Sequence, residues 1–253
     1  MSANPMSSDP MSAAVRELIN ARSLLVVTGA GISAESGVPT FRGEGGLWRG
    51  YDATQLATPA AFTRDPDLVW EWYRWRRELC HVATPNPAHE TLVELERSYP
   101  RFLLATQNVD GLHARAGSKA VVQLHGTIDE LLCRGCFRTS KHTEDPFEPP
   151  NSLPNCQYCG SIARPHILWF GESYWEGVLQ KVASFAQIAD VCLVVGTSGQ
   201  VWPPIALALE AKQKGATLIE INPVKSEITP KTDLWLQGPA GSILPELWRR
   251  MCV

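Results

Sequence analysis

The sequence holds no apolar run near the roughly 20 residues a bilayer-crossing helix needs, which excludes a helical membrane protein. The first stretch, Met1 to Met11, has no apolar core either. It does not read as a secretory signal, and residues 1–12 are expected to form a disordered tail. Strong charge of one sign is also missing: 23 Lys and Arg stand against 26 Asp and Glu, a net charge of −3. That balance gives no electrostatic reason to expect a nucleic-acid partner. No internal repeat is present. The expectation is a cytoplasmic protein with neither membrane nor nucleic acid among its partners. Its oligomeric state is left open, a monomer being acceptable.

What is there is ordinary in bulk: 253 residues, 44% hydrophobic and 19% charged. This length suits one large domain, or one domain with a smaller lobe. Ser23 to Thr28 is a short apolar run that stops at glycine and reads as a buried strand. Similar runs recur at Arg101 to Gln107, Ala120 to Leu124, Asp190 to Gly196 and Ala216 to Asn222, with helical patterns such as Ala88 to Arg97 and Ile205 to Lys214 between them. Strands alternating with helices predict an α/β fold with a modified Rossmann-type parallel sheet. Two stretches break the rhythm. Phe41 to Pro87 has no strand-like run and one helix, Pro66 to Cys80, while Leu132 to Pro165 holds two cysteine pairs and a Pro-rich segment. Both read as insertions that together build a smaller lobe.

After the first strand comes Gly29-Ala-Gly-Ile-Ser-Ala. Small residues there let a backbone approach a pyrophosphate, and a following helix N-terminus favours the anion. The acidic residue that ordinary dinucleotide domains place about 20 positions on is absent, which argues against a standard hydride-transfer dehydrogenase. The later strands end in polar residues: Gln107-Asn-Val-Asp110, His125-Gly126, Gly196-Thr-Ser-Gly199 and Asn222-Pro223. Open parallel sheets bind ligands at such ends. His125 is the candidate general base, because its ordinary pKa lies near neutrality and it stands at a strand end facing that crevice.

Seven cysteines is an odd count, and without an export signal metal binding is favoured over disulfides. Cys133-x-x-Cys136 and Cys156-x-x-Cys159 are separated by 19 residues, the spacing of a four-cysteine zinc ribbon. Four protein ligands leave no open position, so the zinc is expected to be structural. Cys192 reads as a small buried hydrophobe, and Cys80 and Cys252 have no assigned role.

In chain order the sequence carries Gly29-Ala-Gly-Ile-Ser, Pro39-Thr-Phe-Arg-Gly, Gln107-Asn-Val-Asp, His125-Gly, the two cysteine pairs, Trp169-Phe-Gly-Glu, Gly196-Thr-Ser and Ile221-Asn-Pro. This ordered set resembles the sirtuins, NAD-dependent protein-lysine deacylases, from about Ala13 to the C-terminus. The resemblance implies a catalytic domain over residues 13–253. Its NAD-binding lobe would take about 13–43, 88–130 and 166–253, and its small lobe about 44–87 and 131–165. It further implies that Gly29, Ala30, Gly31, Ile32, Ser33, Phe41, Arg42 and Trp48 line the NAD site. Gln107, Asn108, Val109 and Asp110 would hold the nicotinamide and its ribose. Gly196, Thr197, Ser198, Asn222, Pro223 and Ala240 would contact the adenosine half. Val109 and Ala240 depart from the family's commoner isoleucine and cysteine.

By the same resemblance, Trp169, Phe170, Gly171 and Glu172 pair strand to strand with an acyl-lysine substrate, so that main-chain hydrogen bonds carry the affinity. The catalytic pair is His125 and Asn108. NAD is consumed, giving nicotinamide, O-acyl-ADP-ribose and free lysine. Within the helix Trp70-Glu-Trp-Tyr73-Arg-Trp-Arg76, Tyr73 and Arg76 are three apart and share a face. They look like the pair of the sirtuin class that removes succinyl and malonyl groups, with Ala57 leaving room for the longer chain. Arginine can take a terminal carboxylate bidentately. The rival readings are a sirtuin-fold protein ADP-ribosyltransferase and a non-catalytic module that binds NAD and zinc.

Overall fold

The computed structural model describes residues 9–40, 47–143 and 153–253. Helix α1 (Pro10–Asn20) begins earlier than the expected tail allows. Asp9 caps it, accepting from the Met11 and Ser12 N–H groups at 3.4 Å, and Pro10 stands where a missing N–H costs nothing. Strand β1 (Ser23–Thr28) follows, then α2 (Gly31–Ala34). The first insertion contains a hairpin, β2 (Leu47–Trp48) with β3 (Tyr51–Asp52), and three helices: α3 (Ala53–Leu56), α4 (Pro59–Arg64) and α5 (Pro66–Val82). Asp52, Thr58 and Asp65 cap these helices in turn, and proline at the first position of α4 and α5 breaks one helix from the next.

The chain continues through α6 (Pro87–Ser98), β4 (Arg101–Thr106), α7 (Leu112–Ala116) and β5 (Val121–Gln123). Next come β6 (Gly126–Cys133), β7 (Thr139–Lys141) and β8 (Ala163–Ile167), then α8 (Val178–Ala186) and β9 (Val191–Val195). It ends with α9 (Trp202–Gln213), β10 (Thr217–Asn222), β11 (Leu234–Gln237) and α10 (Ala240–Met251). All five expected strands form. The sixth, β11, is a four-residue edge strand whose sequence carries too short a pattern to announce it.

The large sheet is six-stranded and parallel, in the order β11-β10-β9-β1-β4-β5. Alternate residues of each strand enter opposite cores. Leu24, Val26, Leu104, Leu193 and Ile219 pack beneath α1, α6 and α10. Leu25, Val27, Leu103, Cys192 and Leu218 pack beneath α8 and α9. A third core, rich in tryptophan, joins α3, α4 and α5 to the antiparallel sheet β7-β6-β8. Among the described residues, no helix is long and apolar enough to cross a membrane.

Candidate functional site

Register brings the polar strand ends to one edge. Thr28 lies opposite Thr106 on one side and Val195 on the other, and Ile221 lies opposite Val195. Gly29, Gln107, Gly196 and Asn222 therefore emerge together, where the chain order switches between β1 and β9. The glycine loop is pressed against the end of β9. Gly29 N–H donates to the Val195 carbonyl at 3.0 Å and Gly31 N–H to that of Gly196 at 2.7 Å. A Cβ on Gly29 would sit 2.7 Å from the Thr197 Cβ, and one on Gly31 2.7 Å from the Gly196 oxygen. These glycines are required by the contact between two loops, a reason the spacing alone did not show. The helix that follows the loop, α2, is a single turn of four residues, too short for a substantial macrodipole.

The strand ends and the small lobe enclose a cavity of about 850 Å³, within the range of cofactor sites. Its lining includes Gly29, Ala30, Gly31, Gly196, Thr197, Ser198 and Asn222. Gln107, Asn108, Val109 and His125 also line it, as do Ala57, Tyr73, Arg76 and Trp169 to Glu172. Asn108 is held tightly: Nδ2 donates to the Gly29 carbonyl at 3.1 Å and to Ser33 Oγ at 3.0 Å, and its N–H to Thr106 Oγ1 at 3.0 Å. Asn222 Nδ2 donates to the Thr197 carbonyl at 2.9 Å and Gln107 Nε2 to Thr197 Oγ1 at 3.3 Å, tying three strand ends together.

Several expected cavity residues are elsewhere. Ile32 is fully buried in the core beneath α6 and α10, and Ala240 begins α10 inside that same core. Trp48 packs in the small lobe, its ring 6.3 Å from that of Trp75. Pro223 is exposed outside the cavity wall, its carbonyl accepting from Gln237 Nε2. In each case apolar packing or turn geometry accounts for the position of the side chain. Ser33 and Asp110 stand behind Asn108, where Asp110 accepts from the Leu112 N–H at 2.9 Å and bonds the Ser33 side chain. Burial pushes the Asp110 carboxyl above its ordinary range. Phe41 and Arg42 lie outside the described residues.

His125 donates from Nδ1 to the Gln107 carbonyl at 3.0 Å, since a carbonyl can only accept. The neutral ring then carries its lone pair on Nε2, which lies 2.9 Å from the hydroxyl of Tyr174. Burial lowers the pKa of His125, so the neutral form dominates near neutrality. Tyr174 also lines the cavity, and no periodicity or motif in the sequence pointed to it.

On the small-lobe wall of the cavity, Trp169 Nε1 donates to the buried Tyr73 hydroxyl at 2.8 Å, and burial raises that phenol to about 12. The Arg76 guanidinium lies 5.0 Å from the Trp72 ring and 5.8 Å from that of Tyr73. Glu172 is gripped by Arg164 through two bonds of 2.7 and 2.8 Å and accepts from the Trp169 N–H at 2.9 Å. Phe170 N–H donates to the Ala57 carbonyl at 3.0 Å.

The sulfurs of Cys133, Cys136, Cys156 and Cys159 lie within 4.8 Å of one another, with Cys133–Cys159 at 3.4 Å and Cys136–Cys156 at 3.6 Å. A tetrahedron with Zn–S of about 2.3 Å needs sulfurs about 3.8 Å apart, so the cluster fits zinc. N–H groups of Gly135, Cys136 and Tyr158 point at the sulfurs, as thiolates require.

A doubly covered parallel sheet, a cofactor-sized cavity at its switch point and a four-thiolate cluster define an NAD-binding protein of the modified Rossmann type. The Sir2 family profile matches residues 29–203. An NAD-dependent protein deacylase of Leptospira interrogans is 50% identical over 91% of this chain and 93% of its own length. A mutant Sir2 homologue solved with 2′-O-acetyl ADP ribose superposes with a TM-score of 0.90 at 44% identity, covering 95% of this chain and 96% of that one. A Sir2 protein bound to acetylated peptide does so at 0.84 and 26% identity, covering 95% and 98%. This chain belongs to the Sir2 family.

Proposed function

We propose that this chain, an NAD-dependent protein deacylase, removes succinyl and malonyl groups as well as acetyl groups from protein lysines. The observation that carries the reading is His125, fixed by Gln107 so that Nε2 keeps its lone pair, lining the same cavity as Tyr73 and Arg76. NAD supplies the acyl acceptor, its bond to nicotinamide breaking so that the acyl group ends on ADP-ribose.

The chain's own residues supply the rest. His125 Nε2 takes the proton of the ribose hydroxyl that attacks the acyl group and later returns it to the departing lysine amine. The doubly anchored Asn108 amide and Gln107 hold the nicotinamide-side ribose in place, with Asp110 and Ser33 behind them. Ala30, Gly196, Thr197, Ser198 and Asn222 take the adenosine half. The turn from Trp169 to Glu172, set by Arg164 and Ala57, presents its remaining backbone groups to the substrate. Zinc on the four cysteines does no chemistry and holds the small lobe. None of the seven cysteines forms a disulfide, which suits a reducing, cytoplasmic compartment.

Acetyl-, succinyl- and malonyl-lysine peptides incubated with NAD should each release lysine and O-acyl-ADP-ribose, read by mass spectrometry. ADP-ribose found on a protein instead would favour the transferase reading. His125→Ala should lose deacylation by at least about 100-fold, the usual weight of a general base. A variant with full turnover would end the assignment. Arg76→Met should lower kcat/KM on succinyl-lysine at least about tenfold more than on acetyl-lysine, the scale of a charge-assisted hydrogen bond. Equal losses on both peptides would remove Arg76 from acyl recognition.

A further inference from the structure

His125 has a partner that the deacylase reading does not call for. With Nδ1–H spent on the Gln107 carbonyl, neutral His125 offers one lone pair, at Nε2. Nε2 accepts there from the Tyr174 hydroxyl at 2.9 Å. Burial raises the Tyr174 phenol to about 12, so it remains a protonated donor. One lone pair accepts one strong hydrogen bond, and the ribose hydroxyl needs the same atom.

The placement of Tyr174 is built into the fold. The next residue, Trp175, sets its ring 4.4 Å from that of His166. Trp175 also closes over Gly126, whose absent Cβ would lie 2.9 Å from the Trp175 ring. His166 is in turn held by Glu130 at 2.8 Å. On the other side, Glu172 is locked by Arg164. The backbone flanking Tyr174 is thus pinned on both sides, directly beside the histidine.

We propose that Tyr174 is a placeholder that, in the free protein, occupies the His125 lone pair the co-substrate's ribose hydroxyl uses in the deacylation reaction. In the free protein its hydroxyl stands in for the co-substrate's ribose hydroxyl at Nε2, while the Gln107 carbonyl sets the tautomer. The Tyr174 hydroxyl gives way when NAD binds. The exchange trades one O–H···Nε2 hydrogen bond for another, and no proton moves until the ribose hydroxyl is in place. This inference rests on the deacylase reading.

The test is calorimetric binding of ADP-ribose to the wild type, Tyr174→Phe and Tyr174→Leu, with thermal unfolding to confirm folding. Both variants should bind about 3- to 10-fold more tightly, the worth of one neutral hydrogen bond no longer broken. An analogue lacking the hydroxyls of the distal ribose should show a much smaller gain, because it does not compete for Nε2. In turnover the gain should appear in KM for NAD. Unchanged or weaker ADP-ribose binding by Tyr174→Phe would overturn the proposal. So would a fall in kcat at constant KM with nicotinamide exchange retained, which would make Tyr174 a proton relay. If the wild type binds no ADP-ribose, the deacylase reading itself fails and takes this inference with it.

Discussion

The large sheet and the tryptophan-rich lobe are held together by different physics. In the sheet, Leu24, Leu25, Leu104, Leu193 and Leu218 are fully buried in two cores made mostly of aliphatic side chains. Such packing is insensitive to metal. The lobe buries large aromatics whose polar atoms need partners: Trp70 Nε1 donates to the Ala163 carbonyl at 3.1 Å and Trp169 Nε1 to Tyr73. It also buries arginines. Arg77 reaches Asp129 at 3.4 Å and the His142 carbonyl at 2.8 Å, and Asp129 is shared with His81 at 2.7 Å. Four cysteines close its far end. Cooperative, partner-dependent contacts of this kind fail together when one is removed. The active cavity lies between the two regions, so it inherits the weaknesses of the lobe.

Removing zinc is the strongest way to separate them. Chelation, or Cys156→Ser, should cut deacylation by at least about tenfold, because the metal's binding energy is part of the lobe's folding energy. Hydrogen exchange should rise first in β6 and β8, while β1, β4 and β9 stay protected. Equal loss of protection in all five strands would show one cooperative unit and erase the distinction.

The same contrast explains what the sequence revealed. The parallel strands are fully buried on both faces, so Ser23–Thr28 and Val191–Val195 stand out as apolar runs. The glycine loop, Gln107-Asn108, His125 and the cysteine pairs were legible because tight turns, general bases and metal ligands each demand particular residue types. Strand β6, Gly-Thr-Ile-Asp-Glu-Leu-Leu-Cys, has mixed burial and no clean alternation, so the antiparallel sheet was invisible. Placement within the site was harder still. Ile32 directly follows the cavity residues Gly29 to Gly31, yet its side chain turns into the core that Ala240 also joins. Tyr174 owes its position to Trp175 and Gly126, a contact between segments about 50 residues apart that no local pattern encodes.

Two substitutions sharpen the comparison at a smaller scale. Leu193→Ala should cost about 2–5 kcal/mol of global stability through the cavity it leaves, with the remaining folded fraction fully active. Arg164→Ala should cost about 3 kcal/mol, the lower end for breaking a buried pair, because Glu172 retains some contact with water. Its larger effect should be on KM for the acyl peptide, through loss of the Trp169–Glu172 turn. Denaturant unfolding and steady-state kinetics on both variants decide this. If Arg164→Ala lowered only stability, the lobe's polar contacts would be as remote from function as the sheet's leucines.

The smallest expected effect lies in the sheet half, where polar groups are few. His89 and His113 sit between α6 and α7 with ring centroids 4.8 Å apart. Desolvation lowers His89 to about 4 and His113 to about 3. In the unfolded chain both titrate near 6.5, so below that pH the unfolded state binds more protons than the folded one. Stability contributed by these neutral rings is therefore complete above about pH 6.5 and declines as pH falls towards 4 and then 3. His89 accepts the Asn86 N–H at Nδ1, while its buried Nε2 has no partner among the described residues. Replacing it by leucine removes one of the two titrating rings. His89→Leu should reduce the slope of unfolding free energy against pH between about 4.5 and 6 by nearly one proton. Both proteins are unfolded at the same zinc concentration, so the protons taken up by the cysteines on unfolding are common to the two and cancel in the difference. An undiminished slope would place the acid sensitivity in the lobe, reversing the assignment of polar vulnerability between the two regions at low pH.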